Sequence, residues 1–300
     1  MVTSTGSGLA VPDWPLSYGM LFPPMVGGVF YEHGHRMVAT TVGFLTLILA
    51  VFLYWKERRL WVKKLGYAAF IAVILQGLLG GLTVKLFLPP PVSIFHGVLA
   101  QTFFLLTILI AYSQSCERQQ RSQGDLPCEA LLIKMSAITF SVIYLQLMIG
   151  AVMRHTQSGL AIPDFPTMGG KTWPTFDSRM LSSINDWRFA ANLEPVVMKQ
   201  VFIHFLHRVT ALMILIFIVT LNYLGTVRFN SPTRVKHSLF WLSVIVWVQI
   251  ILGILTVLNV KSPVITSLHV VTGAATLAAS FLLVLRTSPL SLAKFRESFA

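Results

Sequence analysis

The sequence predicts an all-α integral membrane protein, and both its composition and its hydropathy pattern point to this class. Of the 300 residues, 55% are hydrophobic and only 11% are charged, whereas an average soluble domain carries about 25% charged residues. A helix that spans a bilayer needs about 20 mostly apolar residues. Seven stretches meet this requirement: 35–55, 66–88, 93–114, 131–153, 201–225, 239–259 and 264–285. The segment between 153 and 201 is too polar and too rich in proline and glycine to be another span.

The basic residues indicate which loops face the cytoplasm. The net charge is +12, but the positive residues form short clusters between apolar stretches, which is typical of cytoplasmic loops and not of a nucleic-acid-binding surface. Fourteen of the 23 basic residues fall on one predicted side: Lys56, Arg58, Arg59, Lys63, Lys64, Arg118, Arg121, Lys134, Arg228, Arg234, Lys236, Arg286, Lys294 and Arg296. We therefore expect the N-terminus and the opposite ends of the helices to lie outside.

Four blocks of sequence recur in the same order, which indicates an internal duplication. Residues 7–15 read SGLAVPDWP, and residues 158–166 read SGLAIPDFP. The dipeptide His35-Arg36 recurs as His207-Arg208. A third block recurs at an offset of 173 positions, in which Gln76, Gly80, Leu82, Thr83 and Val84 match Gln249, Gly253, Leu255, Thr256 and Val257. The fourth match is His96 with His269, at the same offset.

The duplication predicts two tandem helical bundles in the same orientation. They are an N-terminal bundle at 1–115 and a C-terminal bundle at 131–300, joined by a cytoplasmic linker at 116–130. The helix at 131–153 leads into the second copy of the loop motif, but the first copy begins almost at Met1. We therefore expect the first helix of the N-terminal bundle to be missing from this sequence, so that seven of eight helices are visible. The alternative is that this half is built from three helices.

Two histidines recur at equivalent depth in each half, and this pattern predicts a haem site in each. His35 and His96 lie at the outer ends of spans in the first half, as His207 and His269 do in the second. Polar side chains at membrane depth are costly and usually functional, and two histidines on facing helices are a common ligand pair for haem iron. A zinc site fits less well, because zinc needs three or four protein ligands and each half offers only this pair of histidines. A small residue follows each histidine by four positions, which we expect to let a flat macrocycle approach the backbone: Ala39, Ala100, Ala211 and Gly273.

Charged residues beside these histidines predict further roles. Arg36 and Arg208 directly follow histidines, and a guanidinium can bind a haem propionate in bidentate fashion. Glu32 lies three positions before His35, on the same helix face, whereas the matching residue of the second half is His204. A buried carboxylate in one half only predicts a proton-handling role there. We therefore expect the first half to be the chemical site and the second half to be a cofactor or electron site.

Together these residues resemble the haem A synthase family over nearly the whole chain. The resemblance rests on residues 7–16, Glu32-x-x-His35-Arg36, His96, His207-Arg208 and His269. It implies two four-helix bundles in tandem, each with a bis-His haem site near the outer face of the cell membrane. It also implies oxidation of the C8 methyl group of haem O to the formyl group of haem A, for cytochrome oxidase assembly.

The resemblance further implies the ligands and partners. Haem O would bind in the first half, where the catalytic residues would be Glu32, His35 and His96. Haem B would bind at His207 and His269 and transfer electrons. Haem O synthase would supply the substrate, and cytochrome oxidase assembly proteins would be partners. Whether the chain forms a homo-oligomer is left open, and we expect no nucleic-acid partner.

Two features depart from the family pattern. The family has eight helices and this sequence shows seven. Some members carry a cysteine pair in the first outer loop, but Ser17 stands at one of these positions. The two cysteines of the chain, Cys116 and Cys128, both fall on the predicted cytoplasmic side, where disulfides are rare.

Two other functions and two other ligands stay open. A di-haem electron carrier that exchanges electrons with quinone would also need paired histidines, but the presence of Glu32 in one half only argues against it. A transporter with a duplicated fold is disfavoured by the scarcity of charged residues within the spans. His33 and His204 are alternative iron ligands if the helix register differs.

Overall fold

The described part of the chain is built from helices. The computed structural model describes residues 2–121 and 128–288. Its α-helices, in chain order, are α1 (Gly28–Lys56), α2 (Leu60–Lys85), α3 (Pro90–Gln114), α4 (Cys116–Arg121), α5 (Ala130–His155), α6 (Ser178–Ala190), α7 (Met198–Asn222), α8 (Thr233–Leu258) and α9 (Pro263–Thr287). Within the described residues, seven helices are long and apolar enough to cross a membrane, which leaves out only α4 and α6. The predicted all-α, multi-pass membrane fold is confirmed.

The spanning helices begin earlier than hydropathy predicts, so the histidines lie further from the starts of their helices than expected. Helix α1 begins at Gly28 instead of near residue 35. His35 is therefore about two turns inside α1, and His207 is about two and a half turns inside α7. The residues added at the start of α1 include Glu32, whose carboxylate is buried and accepts a hydrogen bond from the first outer loop. Because this carboxylate is paired, the added turns can continue the helix.

The duplication extends to the backbone of two outer turns. In the turn between α2 and α3, Phe87 and Leu88 have φ angles of 58° and 60°. In the turn between α8 and α9, Val260 and Lys261 have φ angles of 49° and 58°. The second residue of each pair donates its N–H to the carbonyl five positions earlier, at 2.7 Å in the first turn and 2.8 Å in the second. Both helices therefore end in the same left-handed cap, without a glycine.

The chain divides into two compact units. The first unit contains the N-terminal loop and the residues up to Ile133, and it also includes the residues from Leu285 onward. The second unit is Lys134–Val284. The predicted bundle boundaries at 115 and 131 stay a prediction. Residues 122–127 of the predicted linker lie outside the described residues, and so do the predicted cytoplasmic residues Lys294 and Arg296.

The second unit carries an additional helix between its loop motif and its histidine. The two loop motifs lie 151 positions apart and the two His-Arg pairs lie 172 apart, so the second half has 21 more residues in this interval. They include α6, whose N-cap residue Asp177 accepts the N–H of Met180 at 2.8 Å. Met180 and Ile184 of α6 pack with Ile162 and Val201 in a buried apolar cluster. The outer loop of the second unit thus has its own hydrophobic core.

Candidate functional site

In the second unit, His207 and His269 face each other across one site. Their imidazole centroids are 6.5 Å apart, with an interplanar angle of 66°. Two imidazoles that ligate one iron, each with a nitrogen about 2 Å from the metal, have centroids about 6.3 Å apart. The Nδ1 atoms of both histidines are buried without a hydrogen-bond partner among the described residues, and a buried polar atom is costly unless something pairs with it. The pair therefore fits bis-His ligation of a haem.

In the first unit, the two predicted ligands lie on α1 and α3. His35 is exposed and His96 is partly buried. Gln76 of α2 donates through Nε2 to the backbone carbonyl of His96 at 2.9 Å, and the same nitrogen lies 3.4 Å from the ring Nε2 of His96. His96 is thus held from the neighbouring helix. The pairing of His35 with His96 stays a prediction.

The first outer loop is held by Arg36. Its Nη1 donates to the carbonyls of Asp13 and Leu16, both at 2.8 Å. Its Nη2 donates to the carbonyl of Val11 at 3.0 Å and to Oε1 of Glu32 at 2.7 Å. All four N–H groups on the two terminal nitrogens are therefore used. A bond to a haem propionate, which the sequence predicted for this arginine, would have to displace one of these contacts.

Arg208 holds the second outer loop in the same way. Its Nη1 donates to the carbonyls of Asp164 at 2.9 Å and Thr167 at 3.1 Å, and its Nη2 donates to the carbonyl of Ile162 at 2.9 Å. Each acceptor lies 151 positions after its counterpart in the first loop. The two arginines thus position the loops above the histidines, a task that the sequence prediction did not include.

Arg208→Lys is expected to loosen the second outer loop, because an ammonium group cannot reach three carbonyls with the geometry of a guanidinium. Loss of two hydrogen bonds, each worth about 0.5–1.5 kcal/mol, predicts a local destabilisation of about 1–3 kcal/mol. Amide exchange in residues 158–167 should then be about 5- to 150-fold faster. Arg179→Lys, at an exposed position of α6, is the control. Unchanged exchange in Arg208→Lys would show that the carbonyl contacts do not anchor the loop.

An aspartate closes each loop on itself. Asp13 accepts the N–H of Tyr18 at 2.8 Å and the N–H of Gly19 at 2.9 Å. Asp164 repeats the pattern with the N–H groups at the same spacing, also at 2.8 and 2.9 Å. The N–H groups of Gly19 and Tyr18 hold the pKa of the Asp13 carboxyl below its usual value. Asp13 therefore stays an ionised acceptor, as the turn requires.

Glu32 and His204 occupy the same place in the two halves and bind the same backbone group. Glu32 is 3% exposed, and its Oε2 accepts the N–H of Val11 at 2.9 Å. His204 is also 3% exposed, and its Nδ1 accepts the N–H of Ile162 at 3.1 Å. Each also contacts the arginine one turn later, at 2.7 Å in the first half and 3.4 Å in the second. The halves therefore differ here in charge and not in architecture.

The alternative ligands His33 and His204 differ in how their nitrogens are used. Nδ1 of His204 accepts the N–H of Ile162, and its Nε2 lies 3.4 Å from Nε of Arg208, so a neighbouring group occupies the space beside each ring nitrogen. This argues against His204 as an iron ligand. Nδ1 of His33 lies 2.8 Å from Oγ of the fully buried Ser17, but its Nε2 is buried without a hydrogen-bond partner among the residues described. His33 therefore stays an alternative to His35. The contact also gives Ser17 a structural task beneath the outer loop.

Comparison with known proteins identifies the family. Residues 25–281 match the model of the COX15-CtaA family, described as cytochrome oxidase assembly protein. The chain belongs to this family. It is 27% identical over 290 residues to a protein of Pelagibacter ubique named heme A synthase, with 93% of this chain and 79% of the relative covered. Relatives of the same name from Halalkalibacterium halodurans and Bacillus licheniformis are 28% identical over 285 residues and 32% identical over 172 residues. These alignments cover 90% and 55% of this chain, and 84% and 56% of the two relatives. The predicted family resemblance is confirmed.

Proposed function

We propose that the chain is a haem A synthase, an oxidoreductase that converts the C8 methyl group of haem O to the formyl group of haem A. The observation that carries this proposal is the pair of facing imidazoles of His207 and His269, whose 6.5 Å separation suits one haem iron between them. Membership of the COX15-CtaA family and the names of the relatives support the same activity.

The two halves take different parts in the proposed reaction. His207 and His269 hold haem B, which when bound supplies one-electron transfer to an acceptor. His35 and His96 hold haem O in the first half. Written with water as the oxygen source, oxidation of a methyl group to a formyl group releases four electrons and four protons. Glu32 is the proton acceptor of this half.

The contacts of Glu32 suit that task. The carboxylate is buried, and its ion pair with Arg36 and its bond from the N–H of Val11 fix both oxygens. A general base must be held within hydrogen-bond reach of the proton that it accepts. Arg36 therefore acts in the reaction by fixing both Glu32 and the outer loop, and Arg208 fixes the corresponding loop beside haem B.

The proposed location is the cell membrane, with both haem sites near the outer face. Helix α1 carries His35 in its first half and ends at Lys56. The same separation of histidines from basic residues recurs in α9, with His269 near its start and Arg286 in its last turn. Basic residues favour the cytoplasmic side, so the histidines face outward. Haem O synthase as supplier of the substrate and cytochrome oxidase assembly proteins as partners complete the proposal.

Co-expression with a haem O source, in a host without its own haem A, tests the function. Chromatography of the extracted haems should reveal haem A in cells that express this chain. His96→Ala should abolish haem A yet leave the haem B of the second half in the purified protein. Haem types that stay unchanged, although the wild-type protein is folded and loaded with haem, would contradict the enzyme and favour a di-haem electron carrier.

A further inference from the structure

Three glutamine–glycine pairs lie at the same place on the helices that precede α3, α7 and α9. In each case the glutamine lies nine residues, and the glycine five residues, before the last residue of its helix. The pairs are Gln76 and Gly80 of α2, Gln146 and Gly150 of α5, and Gln249 and Gly253 of α8. The 173-residue offset of the duplication relates the first pair to the third but does not produce the second. The arrangement therefore occurs independently of that offset.

Each glutamine amide contacts the histidine of the membrane-spanning helix that follows. Nε2 of Gln76 donates to the backbone carbonyl of His96 at 2.9 Å and lies 3.4 Å from Nε2 of its ring. Nε2 of Gln146 donates to the backbone carbonyl of His207 at 2.9 Å. Nε2 of Gln249 lies 3.5 Å from the ring Nε2 of His269. These bonds cross between helices in an apolar environment, where few alternative partners exist.

Each glycine leaves room for the same imidazole. A Cβ atom would lie only 3.1 Å from Cε1 of the histidine at Gly253, 3.3 Å at Gly80 and 3.5 Å at Gly150. Gly273, four positions after the histidine of α9, leaves room for the glutamine, because a Cβ there would lie 3.2 Å from Nε2 of Gln249. The small residue that we expected to admit a macrocycle at this position therefore accommodates a side chain that contacts the ligand histidine.

The glutamines also supply an unused acceptor. Oε1 of each is buried and has no hydrogen-bond partner within 2–121 and 128–288, which is costly in apolar surroundings. A neutral imidazole that ligates a metal through one nitrogen keeps a proton on the other. Ligating histidines almost always donate that proton to a carboxylate, a carbonyl oxygen or water. The amide oxygen of each glutamine belongs to the same group that reaches the histidine through Nε2, and rotation of the amide towards the ring makes it such an acceptor.

We propose that Gln76, Gln146 and Gln249 are positioning residues, which set the orientation of the haem-ligating histidines on the next membrane-spanning helices. The glycine one turn later allows the ring to lie against the neighbouring backbone. This inference rests on the proposed function, because it requires these histidines to bind haem iron.

Purified full-length protein with its bound haem tests the inference through Gln146→Met and Gln249→Met, which keep the side-chain length and remove the amide. Each should lower haem retention by about 10- to 100-fold, the usual loss when a partner of a metal ligand is removed. In the paramagnetic resonance spectrum, the ferric low-spin signal of the haem that remains should have a largest g-value that differs from that of the wild-type protein. Its midpoint potential should be higher, because an imidazole without an acceptor for its N–H is a weaker donor to iron. Thr256→Val is the control on α8, since its hydroxyl bonds only within its own helix, to the carbonyl of Leu252.

A second series keeps the test decisive if the glutamine variants fold poorly. Gly253→Ala should shift the low-spin signal more than Gly150→Ala, in line with the 3.1 and 3.5 Å contacts. Gly77→Ala, with open space at its Cβ position, should change nothing. Wild-type signals and potentials in all glutamine and glycine variants would overturn the positioning role while leaving the haem assignment intact. A wild-type protein without a bis-His low-spin signal would instead overturn the ligand assignment, and this inference with it.

Discussion

His207→Ala and His269→Ala are each expected to remove tightly bound haem B from the purified protein. Their imidazoles face each other at 6.5 Å, and each would supply one axial ligand to the same iron. Loss of either leaves the iron with a single protein ligand, and the low-spin bis-His spectrum of this half should disappear. Optical and paramagnetic resonance spectra, with the haem content per protein, measure the effect.

The matched control for these variants is His237→Ala. His237 lies on α8 near its start, about three turns before Gln249, and contacts Trp241 of the same helix. Its removal should leave the haem content unchanged. A complete low-spin haem B spectrum in His207→Ala or His269→Ala would rule out the ligand assignment in the second half.

Glu32→Gln is expected to accumulate haem O in place of haem A while the second half keeps its haem B. The amide keeps the shape of the carboxylate and one acceptor oxygen for the N–H of Val11, but it cannot take up a proton. General acid–base groups contribute about 10²–10⁴-fold to rates, so haem A formation should fall by a factor in that range. Chromatography of the extracted haems measures the substrate and the product together.

Glu32→His separates proton handling from loop anchoring. His204 accepts the equivalent backbone N–H in the second half, so a histidine at position 32 should hold the first loop without supplying a carboxylate. Both variants should lose haem A formation if the carboxylate handles protons. If Glu32→His forms haem A at the wild-type level, the role of Glu32 is to anchor the loop. Normal haem A yield from both variants would remove any catalytic role.

The hydropathy of the sequence predicts the number and the order of the spanning helices but not where they start. The first turns of α1 contain Glu32 and His33, which resemble an interfacial segment in a hydropathy window. Their burial depends on partners in the outer loops, such as the N–H of Val11. Such contacts between distant segments leave no periodic signal, so hydropathy alone placed the start of α1 about two turns too late.

The sequence alone does not predict the roles of the arginines and the glutamines, and the reasons differ. An arginine beside a predicted haem ligand suggests a propionate partner, because the sequence does not reveal which acceptors reach the guanidinium. The structure shows that backbone carbonyls do so at Arg36 and Arg208. Gln76 and Gln249 were visible as recurring residues without a task. Gln146 was not visible, because it is related to them by the packing of helices and not by the offset of the duplication.

The anchoring of the outer loops through backbone carbonyls has a consequence for how the two copies diverged. A guanidinium that binds main-chain oxygens does not depend on the side chains of the segment that it holds. Trp14 in one copy corresponds to Phe165 in the other, and Leu16 corresponds to Thr167, yet the carbonyls at and near these positions are bound alike. Selection could therefore change the surface of each loop after the duplication without altering its path. This freedom suits the proposed function, in which one copy binds a ligand that turns over and the other binds one that stays.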